Sequence, residues 1–234
     1  MMRINKFIAR SGYTSRRKAD ELILSGEVFV NGKMITELGF DVSDFDQVVI
    51  NGKTLEISKK FYKKLYKPIG FITSNYDPYN KKDLNSLVKM DERFFAAGRL
   101  DKDSEGLLII TNDGEFTNEI IHPSKKLEKT YLVKTNKKLT ISQEKRFEQG
   151  LDLGRGEVTS NSKISLLNSK TNEYMVIIHQ GYNRQIRRMF AFFSIKVVNL
   201  KRLGIGPIKL DDMIEFEIRD FDNKELEFVR KVRG

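Results

Sequence analysis

The sequence predicts an α+β protein with a mixed, largely antiparallel sheet flanked by helices, and three observations carry that expectation. Apolar or alternating runs bounded by Gly, Pro, Asn or Asp recur beyond residue 64, as half-buried strands require. Stretches with helical spacing are short and fall between those runs, the pattern of α+β chains. Charge is also segregated along the chain, which divides it into a small first domain at 1–58, a Lys-rich linker at 59–64 and a larger domain at 65–234.

Taken in order, residues 3–10 place Ile4, Phe7 and Ile8 on one helical face, and Ser11-Gly12 ends the helix. Ser15 is positioned to cap a second helix with Ala19, Leu22 and Ile23 as its apolar stripe and Gly26 as its stop. Val28 and Val30 then alternate into the turn Asn31-Gly32, and Val48 and Ile50 into Asn51-Gly52, so small hairpin strands follow the helix pair. The unit closes near Ile57. In the larger domain, strands are predicted at 64–74, 107–111, 130–134, 173–179, 196–202 and 213–219, and helices at 116–121, 142–148 and 184–193.

The composition excludes several kinds of chemistry. The 234 residues include no Cys and two His, His122 and His179, which removes disulfides, thiolate zinc sites and cysteine nucleophiles and argues against any metal cofactor. No apolar run is long enough to span a membrane or serve as a signal core, so the expected location is the cytoplasm.

A net charge of +10 points to a polyanion, nucleic acid before membrane. Residues 1–19 hold Arg3, Lys6, Arg10, Arg16, Arg17 and Lys18 with no acid, whereas 20–58 hold two bases and eight acids. A second acid-free zone at 174–210 contains Arg184, Arg187, Arg188, Lys196, Lys201, Arg202 and Lys209. Two such zones suit two contacts with one polymer, although a charge run on a helix is also what a plain solvated face looks like.

Partial matches to known loops fail. Asp101-Lys-Asp103-Ser-Glu105-Gly106 opens like a calcium loop, but Asn112 stands at the closing position and 107–110 is apolar. Gly52-Lys53-Thr54 lacks the earlier glycine of a phosphate loop, and Gly204-Ile-Gly206 lacks its third glycine. The stretch 98–114, GRLDKDSEGLLIITNDG, survives as a polar, glycine-punctuated loop entering a buried strand. A carboxylate held there can act as nucleophile or base if a cation keeps it ionised. Asp101 is also compatible with simple capping of loop amides.

Three motifs occur together: Gly98-Arg-Leu-Asp101 continuing to Gly114, Lys129-Thr-Tyr131-Leu-Val, and Gly181-Tyr-Asn-Arg-Gln-Ile-Arg187-Arg-Met189. With Arg3-Ile-Asn-Lys6, Ser15-Arg-Arg17 and Val30-Asn-Gly-Lys33, the chain resembles the bacterial ribosomal RNA pseudouridine synthases that join an N-terminal ribosomal-protein-type (alpha-L) RNA-binding domain to a catalytic domain. The resemblance implies a cofactor-free isomerisation. A flipped uridine would lose its glycosidic bond and regain the ribose through carbon 5, with Asp101 as nucleophile.

The same resemblance places Tyr131 against the uracil, its hydroxyl near carbon 5, and Arg187 in an ion pair with Asp101. It implies substrate contacts from Arg99, Leu100, Asn183, Arg184, Gln185, Leu203 and Ile205, with Leu203 and Ile205 on an apolar pocket strand. RNA contacts are expected from Arg3, Lys6, Ser15, Arg16, Arg17, Asn31 and Lys33. Asp-Lys-Asp-Ser together with Gln-Gly-Tyr-Asn-Arg leans toward the branch acting on 23S ribosomal RNA. Alternatives are the same chemistry on 16S or transfer RNA, or a non-catalytic assembly protein. The expected partner is ribosomal RNA, with or without assembling subunit proteins, and the expected state is a monomer.

Overall fold

A computed structural model of the chain describes residues 1–43 and 45–233. It divides into one unit of Met1–Phe61 with Met90–Phe94 and another of Tyr62–Lys89 with Phe95–Gly234.

In the first unit, β1 (Met2–Arg3) leads into α1 (Ile4–Arg10) and α2 (Arg16–Leu24), followed by β2 (Val28–Val30), β3 (Lys33–Ile35), β4 (Asp41–Val42), β5 (Val48–Ile50) and β6 (Lys53–Thr54). Ile4, Phe7 and Ile8 share a core with Ala19, Ile23, Val28, Val48 and Ile50, so the 3.6-residue stripe of each helix meets the period-two face of the strands. The Ser15 hydroxyl accepts from the Lys18 amide and starts α2. β3-β2-β5-β6 form an antiparallel sheet, and β1 pairs with β4. Asn31 and Gly32, and again Asn51 and Gly52, all have positive φ, as a two-residue hairpin turn with the strands' own twist requires.

The second unit contains β7 (Tyr62–Lys67), α3 (Leu84–Leu87), β8 (Phe95–Ala97), β9 (Glu105–Thr111), α4 (Gly114–Ile121), β10 (Lys129–Thr135) and α5 (Ile141–Gln149). It continues through β11 (Lys163–Asn168), β12 (Glu173–Ile178), α6 (Gln185–Ala191), β13 (Val197–Ile205), β14 (Ile208–Lys209), β15 (Ile218–Asp220) and α7 (Asn223–Arg233). The sheet order is β11-β12-β10-β13-β9-β7-β15, with β14 on β13 and β8 on β9. Every pairing is antiparallel except β13 with β9. One core gathers Tyr131, Phe147, Tyr174, Met189 and Phe190, and another Leu107, Ile109, Phe116, Ile120 and Phe221.

Several expectations are corrected. Tyr62, Lys63 and Lys64, expected in the linker, pair with Thr111, Ile110 and Ile109 on β9. Their alternating partners make them strand despite the lysines. The strand expected at 64–74 stops at Lys67, because Pro68 offers no amide hydrogen and Gly70 turns the chain at φ 93°. Of 213–219, Ile218 and Arg219 are paired strand; before them the Ile214 carbonyl accepts from the Glu217 amide and closes a turn. The helix expected at 184–193 spans Gln185–Ala191. β8, β11 and α7 were not anticipated, although α7 announces itself through reciprocal capping between Asp222 and Glu225. Among the described residues no helix is long and apolar enough to cross a membrane.

Candidate active site

The single parallel pairing builds the floor of the site. Gly106 on β9 lies opposite Arg202 on β13. A β-carbon on Gly106 would stand 2.3 Å from the Arg202 carbonyl oxygen and 2.8 Å from its nitrogen, and φ is 103°, so glycine is required twice over. The loop ahead of β9, which carries Asp101, is thereby pulled down onto β13.

That loop is held on all sides. The Thr73 hydroxyl donates to the Leu100 carbonyl at 2.7 Å and accepts from the Leu100 amide at 3.1 Å. The Gly70 amide donates to the Lys102 carbonyl at 2.7 Å. Lys67, fully buried, donates to the carbonyls of Pro68 at 3.0 Å and Ser104 at 2.7 Å. Burial, then the neighbouring Arg202 guanidinium, pulls its pKa down to about 8. Glu105 accepts from the Tyr66 hydroxyl at 2.6 Å and from Asn199 at 2.7 Å, with Lys201 Nζ 4.0 Å away, so this buried carboxylate is satisfied.

Beside the loop opens a cleft of about 510 Å³, within the roughly 300–1,000 Å³ range of small-ligand sites. Of the substrate-contact residues expected from sequence, Arg99, Leu100, Asn183, Arg184, Gln185 and Ile205 line it, as do Asp101 and Tyr131. Leu203 does not. The β10–β13 register shifts between Thr130, opposite Gly204, and Tyr131, opposite Arg202. Leu203 is the extra residue of that bulge and packs into the core around Leu107 and Phe116. The bulge also changes the alternation of β13, bringing Ile205 to the cleft along with Leu200 and Arg202.

The expected pairing of Arg187 with Asp101 is also replaced. Arg184 stands 3.8 Å from Asp101 and grips Asp103 with both guanidinium nitrogens, at 2.9 and 2.8 Å. Arg187 donates to the carbonyls of Asp103 at 2.6 Å and Val197 at 3.1 Å and lies 3.3 Å from the Asp103 carboxylate. One helical turn past Arg184, it reaches beneath the loop instead of into the cleft. Arg184 sits in the left-handed region at φ 50° and ψ 33°, a conformation whose cost of about 1–3 kcal/mol the two-pronged ion pair offsets. That hydrogen-bonded guanidinium holds the Asp103 carboxyl below its ordinary range. Arg188 turns away to Glu157 and the Leu153 carbonyl.

Sequence reasoning missed Ser104, Ile120, Ile178, Leu200, Lys129 and Arg202 as cleft residues. Lys129 was visible as the start of the Lys-Thr-Tyr motif and Arg202 as part of the second basic zone. Among the described residues no group of acids and histidines stands together as metal ligands.

In the first unit, Arg16, Arg17 and Lys33 are exposed. Ser15 and Asn31 serve the fold: Ser15 caps α2, and Asn31 donates to Asp46 and accepts from the Gln47 amide. Arg3 binds the Gly39 carbonyl and lies 3.5 Å from Asp41. Lys6 is half-buried on α1.

The cleft has a carboxylate, Asp101, at its edge, an aromatic wall from Tyr131, and cations from Lys129, Arg184 and Arg202 around it, a lining suited to an enzyme that acts on a nucleic acid. The family model for RNA pseudouridylate synthase matches residues 62–192, and that for the S4 domain matches residues 2–49. The chain is 38% identical to ribosomal large subunit pseudouridine synthase B of Bacillus subtilis, over 98% of this chain and 96% of that one. It is 35% identical to ribosomal small subunit pseudouridine synthase A of Vibrio vulnificus, over 98% of this chain and all of that one, at 100%. A crystal structure of a pseudouridylate synthase superposes with a TM-score of 0.72 at 29% identity, covering 98% of this chain and 100% of that chain. The chain belongs to the RNA pseudouridylate synthase family and carries an S4 domain.

Proposed function

We propose that the protein converts one uridine of 23S ribosomal RNA to pseudouridine in the cytoplasm, acting as a monomer. The observation that carries this reading is the placement of Asp101, Tyr131 and Arg184 around one cleft. Asp101 is the nucleophile, with the Arg184 guanidinium 3.8 Å away. Tyr131 forms the wall against which the flipped uracil stacks, with its hydroxyl available for the proton on carbon 5. Arg187 and Asp103 shape the loop from below. Extruding the base costs roughly a few kcal/mol, which phosphate contacts from Arg16, Arg17 and Lys33 help to offset.

The large subunit is favoured by the Asp-Lys-Asp-Ser sequence at 101–104 and Gln-Gly-Tyr-Asn-Arg at 180–184. The test is to incubate unmodified 23S and 16S transcripts separately with the protein and map pseudouridine by carbodiimide labelling and primer extension. One new site in 23S RNA is expected. A site confined to 16S RNA overturns the subunit assignment, and no site in either RNA, naked or in assembly intermediates, overturns the function.

A further inference from the structure

We propose that Lys129, with Arg202 behind it, stabilises the negative charge that the uracil ring carries while detached from its ribose. The proposal rests on the pseudouridine synthase reading and extends it to a part of the cleft which that reading leaves without a task.

Lys129 and Tyr131 project from the same face of β10, since alternate residues share a face, and Arg202 lies directly opposite Tyr131 on β13. All three line the cleft. Neither cation has a counter-ion: among the described residues, Lys129 makes one long hydrogen bond, 3.4 Å to the His179 carbonyl, and no carboxylate lies within ion-pair distance of it or of Arg202. Arg202 is 3% exposed. It donates from Nε to the Leu107 carbonyl at 2.8 Å and from Nη1 to the Arg99 carbonyl at 3.3 Å. Its Nη2 is buried and has no hydrogen-bond partner.

Two unpaired cations beside each other in a partly dehydrated wall are costly. Burial and the adjacent Arg202 pull the pKa of Lys129 below that of an ordinary lysine, so charge repulsion is present at this spot. A structure tolerates such a spot where a complementary negative charge arrives, and in an enzyme that charge need exist only in the transition state.

The reaction supplies it. When the C1′–N1 bond breaks, its electron pair leaves with the ring and is shared among N1, O2 and O4, while C1′ is taken up by the Asp101 carboxylate. The ring turns, C5 bonds to C1′ as the carboxylate departs, the C5 proton is removed, and N1 gains a proton. Uridine and pseudouridine therefore balance, with a uracil anion between them. Lys129 Nζ, and Arg202 Nη2 after a small shift of the guanidinium, donate to the carbonyl oxygens of that anion. Neutral uracil in the bound state benefits much less, so the effect falls on rate and not on affinity.

The test is single-turnover conversion of the RNA fragment carrying the site mapped for the wild-type protein, with saturating enzyme. Lys129→Met is expected to slow conversion about a hundredfold, the range for losing one charge-stabilising donor, with RNA affinity within about threefold. Lys129→Arg is expected to recover most of the rate. A second substrate separates this role from a structural one. Fluorine at carbon 5 stabilises the uracil anion by itself, so with 5-fluorouridine at the target the Lys129→Met penalty on loss of the starting nucleoside is expected to shrink to about tenfold. Arg202→Lys, which keeps the charge but not the forked donors, serves as the second variant, with thermal melting as the folding check. An active wild-type protein whose Lys129→Met variant keeps its rate, or shows an equal penalty on both substrates, overturns this proposal alone. A wild-type protein inactive on every RNA overturns the proposed function and this assignment with it.

Discussion

Two sets of cations, those on α2 and those buried around the cleft, handle positive charge in opposite ways. On α2, Arg16, Arg17 and Lys18 stand in solvent, and Lys18 pairs with its i, i+3 neighbour Glu21 at 2.7 Å. Around the cleft, Lys67 and Arg202 are buried and Arg187 nearly so, each spending hydrogens on backbone carbonyls of the loop or its supporting strands. Solvated cations are interchangeable and act through released counterions. Buried ones are tied to single acceptors and act through shape. The same residue types therefore do different work, and substitutions should fail in different ways.

The sharpest break should come where the buried zone depends on close backbone approach. Gly106→Ala places a methyl group 2.3 Å from the Arg202 carbonyl and is expected to destabilise the protein by about 2–4 kcal/mol, seen as a lower urea midpoint with loss of activity. Arg184→Lys keeps the charge but loses the two-pronged grip on Asp103. A rate about tenfold to a hundredfold lower is expected, near 1.4–2.7 kcal/mol, with RNA affinity almost unchanged in a filter-binding assay.

Lys67 sharpens the contrast through pH. Its folded pKa, about 8, lies below the ordinary 10.5, so between those values only the unfolded chain keeps the proton and rising pH favours folding. Wild-type protein is expected to gain about 1–3 kcal/mol of stability relative to Lys67→Met between pH 8 and 10.5, measured by urea titration. For the solvated zone, Arg16→Gln and Arg17→Gln together should leave stability and single-turnover rate alone. They should reduce the salt slope of RNA binding by about 0.7 per lost single-strand contact. An unchanged slope would remove these residues from the interface.

The sequence made the helix pair legible because each signal was local: a Ser15 cap, an apolar stripe, an Asn-Gly turn. It also made Asp101 and Tyr131 legible, since they lie inside contiguous motifs. What it concealed depends on long-range geometry. The bulge at Leu203, which sends that side chain to the core and Ile205 to the cleft, is set by pairing with β10, some seventy residues earlier in the chain. The exchange of Arg187 for Arg184 as the neighbour of Asp101 follows from the left-handed turn before α6, invisible in a five-residue run, 184–188, that holds three arginines. Lys129 read only as the first residue of the Lys-Thr-Tyr motif and Arg202 only as part of a basic zone until the strands placed them in one wall.

The most direct test of the central claim, that Asp101 in this cleft performs the isomerisation, is tritium release from ribosomal RNA labelled at carbon 5 of uridine, since that hydrogen must leave when C5 bonds to C1′. Wild-type protein is expected to release one equivalent per RNA, and Asp101→Asn to release it at least about a thousandfold more slowly while binding the RNA with wild-type affinity. Release by Asp101→Asn at the wild-type rate would contradict the account.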